Sequence, residues 1–309
     1  MTHLEGILKE KLGTSTFEAF GHGGGGCINT GQSYITDHGK IFIKTNEKDG
    51  AREMFDGEFT SLDTIYKTNT IRTVKPLLVM DDPEGGAVLV TEHLQMKRLK
   101  SQQELGRKLA ELHLHNAKRK EKIEKEAGRI GSDAEDDYVH RFGFHVPTSC
   151  GFILQDNTWE DDWPTFFARR KLNQQLELID QKFKDTEARM LWGKLQHKIP
   201  SYFDGLDITP ALLHGDLWCG NSNEMADGSG PVVFDPASFY GHHEYDLGIA
   251  EMFGGYSSDF FKGYHSLCPQ KAGHDQRNQL YQLFHYLNHW NHFGSGYRDQ
   301  SLSIMRRLI

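Results

Sequence analysis

The segment Leu212–Asn221 contains two residues suited to phosphoryl transfer. His214, Asp216 and Asn221 have the H-x-D-x-x-x-x-N spacing of a kinase catalytic loop. Transfer of a phosphoryl group to a hydroxyl needs a carboxylate that orients the hydroxyl and accepts its proton, and Asp216 fits that role. It also needs a neutral oxygen ligand for a magnesium ion nearby, and Asn221 fits that one.

A second carboxylate follows at the end of an apolar strand. Asp235 follows the apolar stretch Pro231-Val232-Val233-Phe234 and lies 14 residues after Asn221. A strand end holds a carboxylate rigidly, as a ligand to Mg²⁺ bridging nucleotide phosphates requires. Taken alone, each carboxylate also has a purely structural interpretation. Asp216 could cap a turn, and Asp235 could simply end a strand. The ordered set of three favours a catalytic site.

A glycine-rich stretch lies near the amino terminus. Gly21-x-Gly23-x-x-Gly26-x-Ile28 matches G-x-G-x-x-G-x-V, in which backbone amides approach phosphate closely. The motif alone also fits a Rossmann dinucleotide site, but a Rossmann fingerprint opens a helix, whereas a β-hairpin is predicted here. No Gly-Lys-Ser/Thr follows, which excludes a Walker A loop. The predicted nucleotide-binding residues of this stretch are Gly23, Gly24, Gly25, Gly26 and Ile28.

Three further features complete a nucleotide site. Lys44 ends the second hairpin strand, where a lysine can hold the α- and β-phosphates. Glu58, on the next predicted helix, is the expected ion-pair partner of Lys44, with Glu53 as its competitor. The stretch Leu89–Leu94 is the predicted hinge, and the backbone of Glu92, His93 and Leu94 is expected to bind adenine.

The elements that must position these residues fall into two groups. Strands are predicted at 32–36, 41–44, 74–79 and 87–91, with helices at 3–12 and 48–66. Beyond Glu92 the pattern is helical, starting at a capping box, Ser101-Gln102-Gln103-Glu104, and continuing at 166–183, 185–195 and 280–290. Residues 128–137 are expected to form a mobile loop. We predict an α+β fold with a β-rich N-terminal lobe, 1–94, and a helical C-terminal lobe, 95–309.

Composition narrows the function classes. The net charge of -8 argues against a dedicated nucleic-acid binder, which normally presents a basic surface. The four cysteines form no C-x-x-C pair, so neither a disulfide framework nor a structural zinc site is indicated. No signal peptide or membrane-spanning run is apparent. We expect no nucleic-acid or membrane partner and a cytoplasmic location.

Longer blocks resemble one known family. The chain is similar throughout to the fructosamine-3-kinase and ketosamine-3-kinase family, within the aminoglycoside-phosphotransferase-like kinases. The blocks are GGGCI (24–28), EDDWPTFFARRKL (160–172), ALLHGDLWCGN (211–221), FDPASFYGHHEYDLGIAEMFGG (234–255) and YQLFHYLNHWNHFG (281–294). With SGYR at 295–298, the C-terminal stretch resembles the fructosamine-3-kinase-related branch more than fructosamine-3-kinase proper.

The resemblance implies a bilobal protein-kinase-like fold and a reaction. Family members use ATP and Mg²⁺ to phosphorylate the 3-hydroxyl of a ketose joined through C1 to a protein or small-molecule amine, which initiates deglycation. The related branch prefers ribulosamines and psicosamines to fructosamines. By position, Asp216 would be the base, Asn221 and Asp235 the metal ligands, and Lys44 the phosphate anchor. Asp246 would help to hold the catalytic loop. Two rivals stay open: a same-fold kinase with another acceptor, and a non-catalytic pseudokinase scaffold.

The acceptor site and one cysteine are less determined. Trp218 could stack on the sugar or pack behind the catalytic loop. Asn288, Trp290 and His292 could line the acceptor pocket or be buried helix residues. Cys27, beside the expected phosphates, could form a thiolate. We hypothesise that it forms a reversible intermolecular disulfide, so the chain would be a monomer or a redox-linked homodimer.

Overall fold

A computed structural model describes residues 3–25, 29–127 and 138–309. The loop expected at 128–137 lies outside the described residues. Within the described part, no helix combines the length and apolarity needed to cross a membrane.

The N-terminal half alternates strands with two helices. Its elements are α1 (His3–Leu12), β1 (Phe17–Gly25), β2 (Thr30–Thr36), β3 (Gly39–Asn46), α2 (Ala51–Thr68), β4 (Arg72–Thr73), β5 (Pro76–Asp81), β6 (Ala87–Glu92) and β7 (Met96–Lys97). Five of the strands form an antiparallel sheet in the order β1-β2-β3-β6-β5. The predicted hairpin about Asp37-His38-Gly39 is confirmed as β2–β3, in which Thr36 faces Gly39.

This sheet is covered on both faces because its strands alternate apolar side chains. Leu8 of α1 packs with Ile41 and Ile43 of β3 on one face. On the other face Phe55 of α2 packs with Leu89 of β6. The alternation therefore fixes which face of β3 is left for Lys44.

The C-terminal half is mainly helical. Its elements are α3 (Gln102–Ala127), β8 (Thr148–Cys150), β9 (Ile153–Gln155), α4 (Trp163–Thr165), a π-helical segment (Phe166–Leu172), α5 (Asn173–Phe183), α6 (Thr186–Lys198), a 3₁₀ segment (Ile199–Phe203), β10 (Ala211–Leu212), a 3₁₀ turn (Cys219–Asn221), β11 (Ser222–Met225), β12 (Pro231–Val233), β13 (Tyr240–Gly241), α7 (Tyr245–Met252), α8 (Ser258–His265), α9 (His274–Phe293), a 3₁₀ turn (Ser295–Tyr297) and α10 (Arg298–Leu308). The predicted α+β class is confirmed.

A second sheet crosses the predicted lobe boundary. Its order is β4-β12-β11-β7, so strands from both sides of residue 94 pair in it. β12 runs parallel to β4, with Val233 opposite Thr73, and Thr73 Oγ1 also donates to Val233 O at 2.8 Å. The division into 1–94 and 95–309 stays a prediction. The pairing holds β12, which precedes Asp235, against the N-terminal half.

The start of α3 differs in detail from the predicted capping box. Ser101 Oγ donates to Glu224 at 2.9 Å, and Glu104 pairs with Arg107. The Glu224 carboxylate also accepts the backbone N–H groups of Lys100 and Ser101, both at 3.0 Å. A residue of β11 therefore satisfies the Ser101 amide, which Glu104 would bond in a capping box. Sequence proximity could not reveal this partner, because it lies more than a hundred positions further along the chain.

Candidate active site

A cavity of about 630 Å³ lies where the five-stranded sheet meets the loops after β10 and β12. It brings together most of the residues singled out from the sequence. These are Lys44, Glu58, Glu92, His93, Leu94, Asp216, Trp218, Asn221 and Asp235. These residues come from both sides of the hinge in the sequence, so the cavity forms only when the two parts of the chain pack together.

Lys44 connects the two halves of the cavity. Its Nζ donates to Glu58 Oε1 at 2.6 Å and to Asp235 Oδ1 at 2.5 Å. Glu58 is the partner because it lies on the side of α2 that faces β3, whereas Glu53 is exposed. Burial alone would lower the pKa of Lys44, but the charges of Asp235 and Glu58 outweigh it and raise that pKa. Lys44 is therefore a fixed cation.

The loop that carries Asp216 is held by a buried carboxylate, as the family resemblance implied. Asp246, at the start of α7, accepts the backbone N–H groups of His214 and Gly215, each at 2.8 Å. It also contacts His113 Nε2 at 3.0 Å. Burial would raise the pKa of Asp246, but the hydrogen bond and charge of His113 lower it. The loop is thus anchored by an ionised group in the core.

Gly215 is required by the backbone path of this loop. Its φ is +85°, a region that favours glycine. A Cβ here would lie 2.0 Å from the backbone oxygen of Ala237. The absence of a side chain lets the loop approach the segment that follows Asp235. His214 also joins this loop to the segment around Asp235, because its Nε2 lies 3.1 Å from Phe234 O.

Asp216 and Asn221 face each other across the loop. Asn221 Nδ2 donates to the backbone oxygen of Asp216 at 2.9 Å and to its carboxylate Oδ2 at 3.2 Å. With the amide nitrogen used in this way, the amide oxygen of Asn221 is the atom left for a cation. The spacing that suggested the pair therefore places one acid and one neutral oxygen side by side.

The pKa of Asp216 is raised to about 7, first by burial and second by the charge of Asp235. A carboxyl group with this pKa can accept a proton near neutral pH, as a general base must. The hydrogen bond from Asn221 opposes the shift but does not cancel it.

This shift predicts a change in stability with pH. The folded pKa of Asp216 lies above the unfolded value, so the free energy of unfolding falls as pH rises from about 4 to 7. A shift from 3.8 to about 7 corresponds to roughly 4 kcal/mol, and we expect about 1–2 kcal/mol because the carboxyl is partly exposed. Asp216→Asn should therefore raise the ligand-free melting temperature at pH 8 but not at pH 4. Equal effects at both pH values would contradict the raised pKa.

Asp235 has an unusual backbone. Its φ is +57°, one of three positive values at non-glycine residues in the described chain. For a residue other than glycine, this conformation costs on the order of 1 kcal/mol, and such strain concentrates at functional sites. Pro236 follows, and proline restricts the chain. The resulting turn directs the carboxylate of Asp235 into the cavity.

The hinge amides are partly used within the protein. Glu92 N–H donates to Lys75 O at 2.9 Å and His93 N–H to Lys40 O at 3.0 Å. The Glu92 carboxylate binds Arg72 at 2.8 Å. Within the described residues, the Leu94 amide has no acceptor, so it is the hinge N–H left for a ligand.

The glycine-rich stretch is a strand up to Gly25. Gly24 pairs with Gly31 and Gly25 with Thr30 in β1–β2, after an irregularity that follows Phe20. Gly31 and Thr30 line the cavity, whereas Gly23 borders a neighbouring groove beside α1. Gly26, Cys27 and Ile28 lie outside the described residues.

Trp218 lies at the cavity and not behind the loop. Its side chain is 40% exposed and lines the cavity beside Asp216. The ring covers Gly220, where a Cβ would lie 2.1 Å from Trp218. Its backbone oxygen accepts from Tyr256 Oη at 3.1 Å. Of the two interpretations left open by the sequence, packing behind the catalytic loop is wrong.

The cluster on α9 corrects part of the acceptor-pocket prediction. Trp290 is 1% exposed and packs against Phe183, so it is a core residue. Asn288, 3% exposed, bonds to Cys150. His292 accepts the Phe152 N–H on Nε2 at 3.0 Å. Helical spacing could not separate the core face of α9 from a pocket face, because both carry aromatic and polar residues.

Sequence reasoning missed two cavity residues beside the base. Ser149 and Gly151 lie in the β8–β9 hairpin and line the cavity. His292 fits against Gly151, where a Cβ would be 2.2 Å from its Nε2. The hairpin is too short for a periodic pattern, so the Ser-Cys-Gly turn gave the only local signal. His292 therefore supports the cavity wall from behind.

Comparison with known proteins shows which family this chain resembles. The fructosamine kinase family model matches residues 1–309. A ketosamine-3-kinase of Mus musculus is 54% identical over 309 residues, 99% of each chain. A chloroplastic protein-ribulosamine 3-kinase of Oryza sativa subsp. indica is 39% identical over 283 residues, covering 91% of this chain and 76% of that protein.

Solved structures agree with the fold. A structure described as a putative fructosamine-3-kinase from Haemophilus somnus 129PT superposes with a TM-score of 0.77 at 22% identity, covering 98% of this chain and 96% of that one. An aminoglycoside phosphotransferase in a ternary complex with AMP-PNP and hygromycin B gives a TM-score of 0.58 at 15% identity, covering 99% and 97%. At these identities the likeness shows the protein-kinase-like fold.

Proposed function

The chain belongs to the fructosamine kinase family, and we propose that it transfers a phosphoryl group from ATP to the 3-hydroxyl of ketosamines. The observation that carries this proposal is the cavity in which Asp216 and Asn221 face the ion pair of Lys44 and Asp235. The close relatives named for ketosamine and ribulosamine substrates supply the acceptor class.

Four residues of the site have defined roles in this proposal. Asp216 accepts the proton of the attacking hydroxyl, because its raised pKa makes it a competent base near neutral pH. Lys44 binds the nucleotide phosphates, and Glu58 fixes the direction of its ammonium group. Asp246 keeps the base in place through the loop amides.

The donor atoms at Asn221 and Asp235 fit a magnesium ion. An amide oxygen and a carboxylate in one cavity are the oxygen ligands that Mg²⁺ prefers. Bound there with ATP, the ion would neutralise charge on the phosphates. In this structure the ammonium group of Lys44 neutralises the charge of the Asp235 carboxylate. The adenine would lie at the hinge, where Leu94 offers its amide.

For the acceptor, we propose ribulosamines and psicosamines, with fructosamines as poorer substrates, on protein-bound or free amines. Phosphorylation would initiate removal of the sugar, since a 3-phosphate is a good leaving group beside the ketone. Trp218, exposed beside Asp216, is the side chain we assign to the sugar face.

ATP consumption by the purified protein tests the acceptor class. We expect turnover with ribulose-lysine to exceed turnover with fructose-lysine, and neither choline nor an aminoglycoside to be phosphorylated. Preference for choline or an aminoglycoside would favour a same-fold kinase with another acceptor. Binding of Mg·ATP without turnover of any ketosamine would favour a pseudokinase.

A further inference from the structure

Exposed aromatic side chains are connected with one another along α9 and the β8–β9 turn. Phe152, Phe293 and Phe253 are 54%, 62% and 43% exposed. Two histidines of α9 connect them. The ring of His292 lies 4.0 Å from that of Phe152 and 5.7 Å from that of Phe293. His289 lies 5.5 Å from Phe293 and 4.9 Å from Phe253. We call these five residues the aromatic rim.

One end of the aromatic rim adjoins the β8–β9 side of the cavity. Phe152 directly follows Gly151, which lines the cavity with Asp216. His292 holds this end in place through the Phe152 N–H. Its other ring nitrogen, Nδ1, lies 2.7 Å from Asn288 O within α9. Both ring nitrogens are therefore used by the fold, and the phenyl ring of Phe152 is left facing solvent.

The other end adjoins the catalytic loop. Phe253 is followed by Gly254 and Gly255, and a Cβ on Gly255 would lie 2.4 Å from Cys219 Sγ. Cys219 follows Trp218, which lines the cavity. The rim thus connects the β8–β9 turn, where Gly151 lines the cavity, with the segment that approaches Cys219 of the catalytic loop.

Such a connected set of exposed rings needs an explanation. Single exposed apolar side chains are ordinary, whereas contiguous apolar patches mark interaction sites. None of the five rim residues lines the cavity that contains the hinge residues Glu92, His93 and Leu94. A nucleotide at the hinge would leave the rim uncovered.

We infer that the aromatic rim docks the polypeptide that carries the ketosamine, with apolar side chains flanking the modified lysine. This inference rests on the proposed function. When the 3-hydroxyl lies at Asp216, the amine attached to C1 of the same sugar must point out of the part of the cavity that contains Asp216 and Trp218. The chain attached to that amine then passes over the rim. Phe152, Phe253 and Phe293 offer it apolar surface without a charge that would select one sequence.

The test compares three substrates: free ribulose-lysine and two peptides with one ribulosylated lysine each. One peptide flanks this lysine with leucine and phenylalanine, the other with serine and glycine. The wild type should prefer the apolar-flanked peptide by about tenfold in kcat/KM, the effect of partly burying one or two such side chains. Phe253→Ser/Phe293→Ser should remove that preference through KM and leave kcat/KM for free ribulose-lysine unchanged.

Met190→Ser is the matched control, since Met190 is 56% exposed on α6 and outside the rim. It should retain the peptide preference. Should the double variant be poorly folded, Phe293→Ser alone, at the most exposed position, serves instead. Turnover of free ribulose-lysine by the wild type checks the proposed function separately. Equal use of the two peptides by the wild type, or an unchanged preference in the rim variant, would overturn the docking inference.

Discussion

Replacing Asp216 by asparagine should lower kcat on ribulose-lysine by about 10²–10⁴-fold, the usual contribution of a general base. Asparagine keeps the shape of the side chain but cannot accept the proton of the 3-hydroxyl. Affinity for Mg·ATP should change little, because the hinge and Lys44 are untouched. Nucleotide binding by calorimetry and turnover by ATP consumption separate the two effects.

The control for this variant is Asp204→Asn, which removes an exposed carboxylate outside the cavity. It should leave both kcat and nucleotide binding unchanged. Activity of Asp216→Asn comparable to wild type would mean that the base is misassigned. A parallel loss of nucleotide binding would indicate instead that Asp216 acts mainly by shaping the cavity.

Asp235→Asn should reduce kcat by roughly 10³-fold, as loss of several kcal/mol of metal-borne charge stabilisation implies. The Mg²⁺ concentration for half-maximal activity should rise, because the carboxylate is the only charged group of the two ligands proposed. The charge of Asp235 also raises the pKa of Asp216. The variant should therefore retain an ionised Asp216 at lower pH and still be slow.

A magnesium titration of the residual activity distinguishes weakened Mg²⁺ binding from unfolding of the variant. Asp49→Asn, which changes an exposed carboxylate before α2, is the matched control and should show the wild-type Mg²⁺ dependence. An Asp235→Asn protein with wild-type kcat and wild-type Mg²⁺ dependence would exclude Asp235 as a ligand.

The residues that the sequence singled out and that the structure brings together in one cavity are those with a local signal. Asp216 and Asn221 lie in one short loop, and Lys44 lies two residues before the end of a hairpin strand whose alternation decides the direction of its side chain. Glu58 could be preferred to Glu53 only by the order of the motif, and the structure pairs it with Lys44. The variants above test the roles of these residues.

The parts that the sequence could not predict depend on distant contacts. Trp290 and His292 are two positions apart on α9, yet one packs in the core and the other supports the β8–β9 hairpin. Glu224 replaces the capping box of α3 from a strand far along the chain. The backbone of Glu92 and His93 was expected to bind adenine, but the carbonyl oxygens of Lys75 and Lys40 accept hydrogen bonds from their amides. In each case tertiary packing selects among partners that are locally equivalent.

We propose that phosphoryl transfer to the 3-hydroxyl of an amine-linked ketose takes place in the cavity that contains Asp216. The most direct measurement is the position of the phosphate, read by ³¹P and ¹H NMR, after incubation of ribulose-lysine with ATP and Mg²⁺. We predict a single product phosphorylated at the 3-position with the wild type, and a far slower reaction with Asp216→Asn. Phosphate at another hydroxyl, or no phosphorylated sugar while ATP binds normally, would contradict the account.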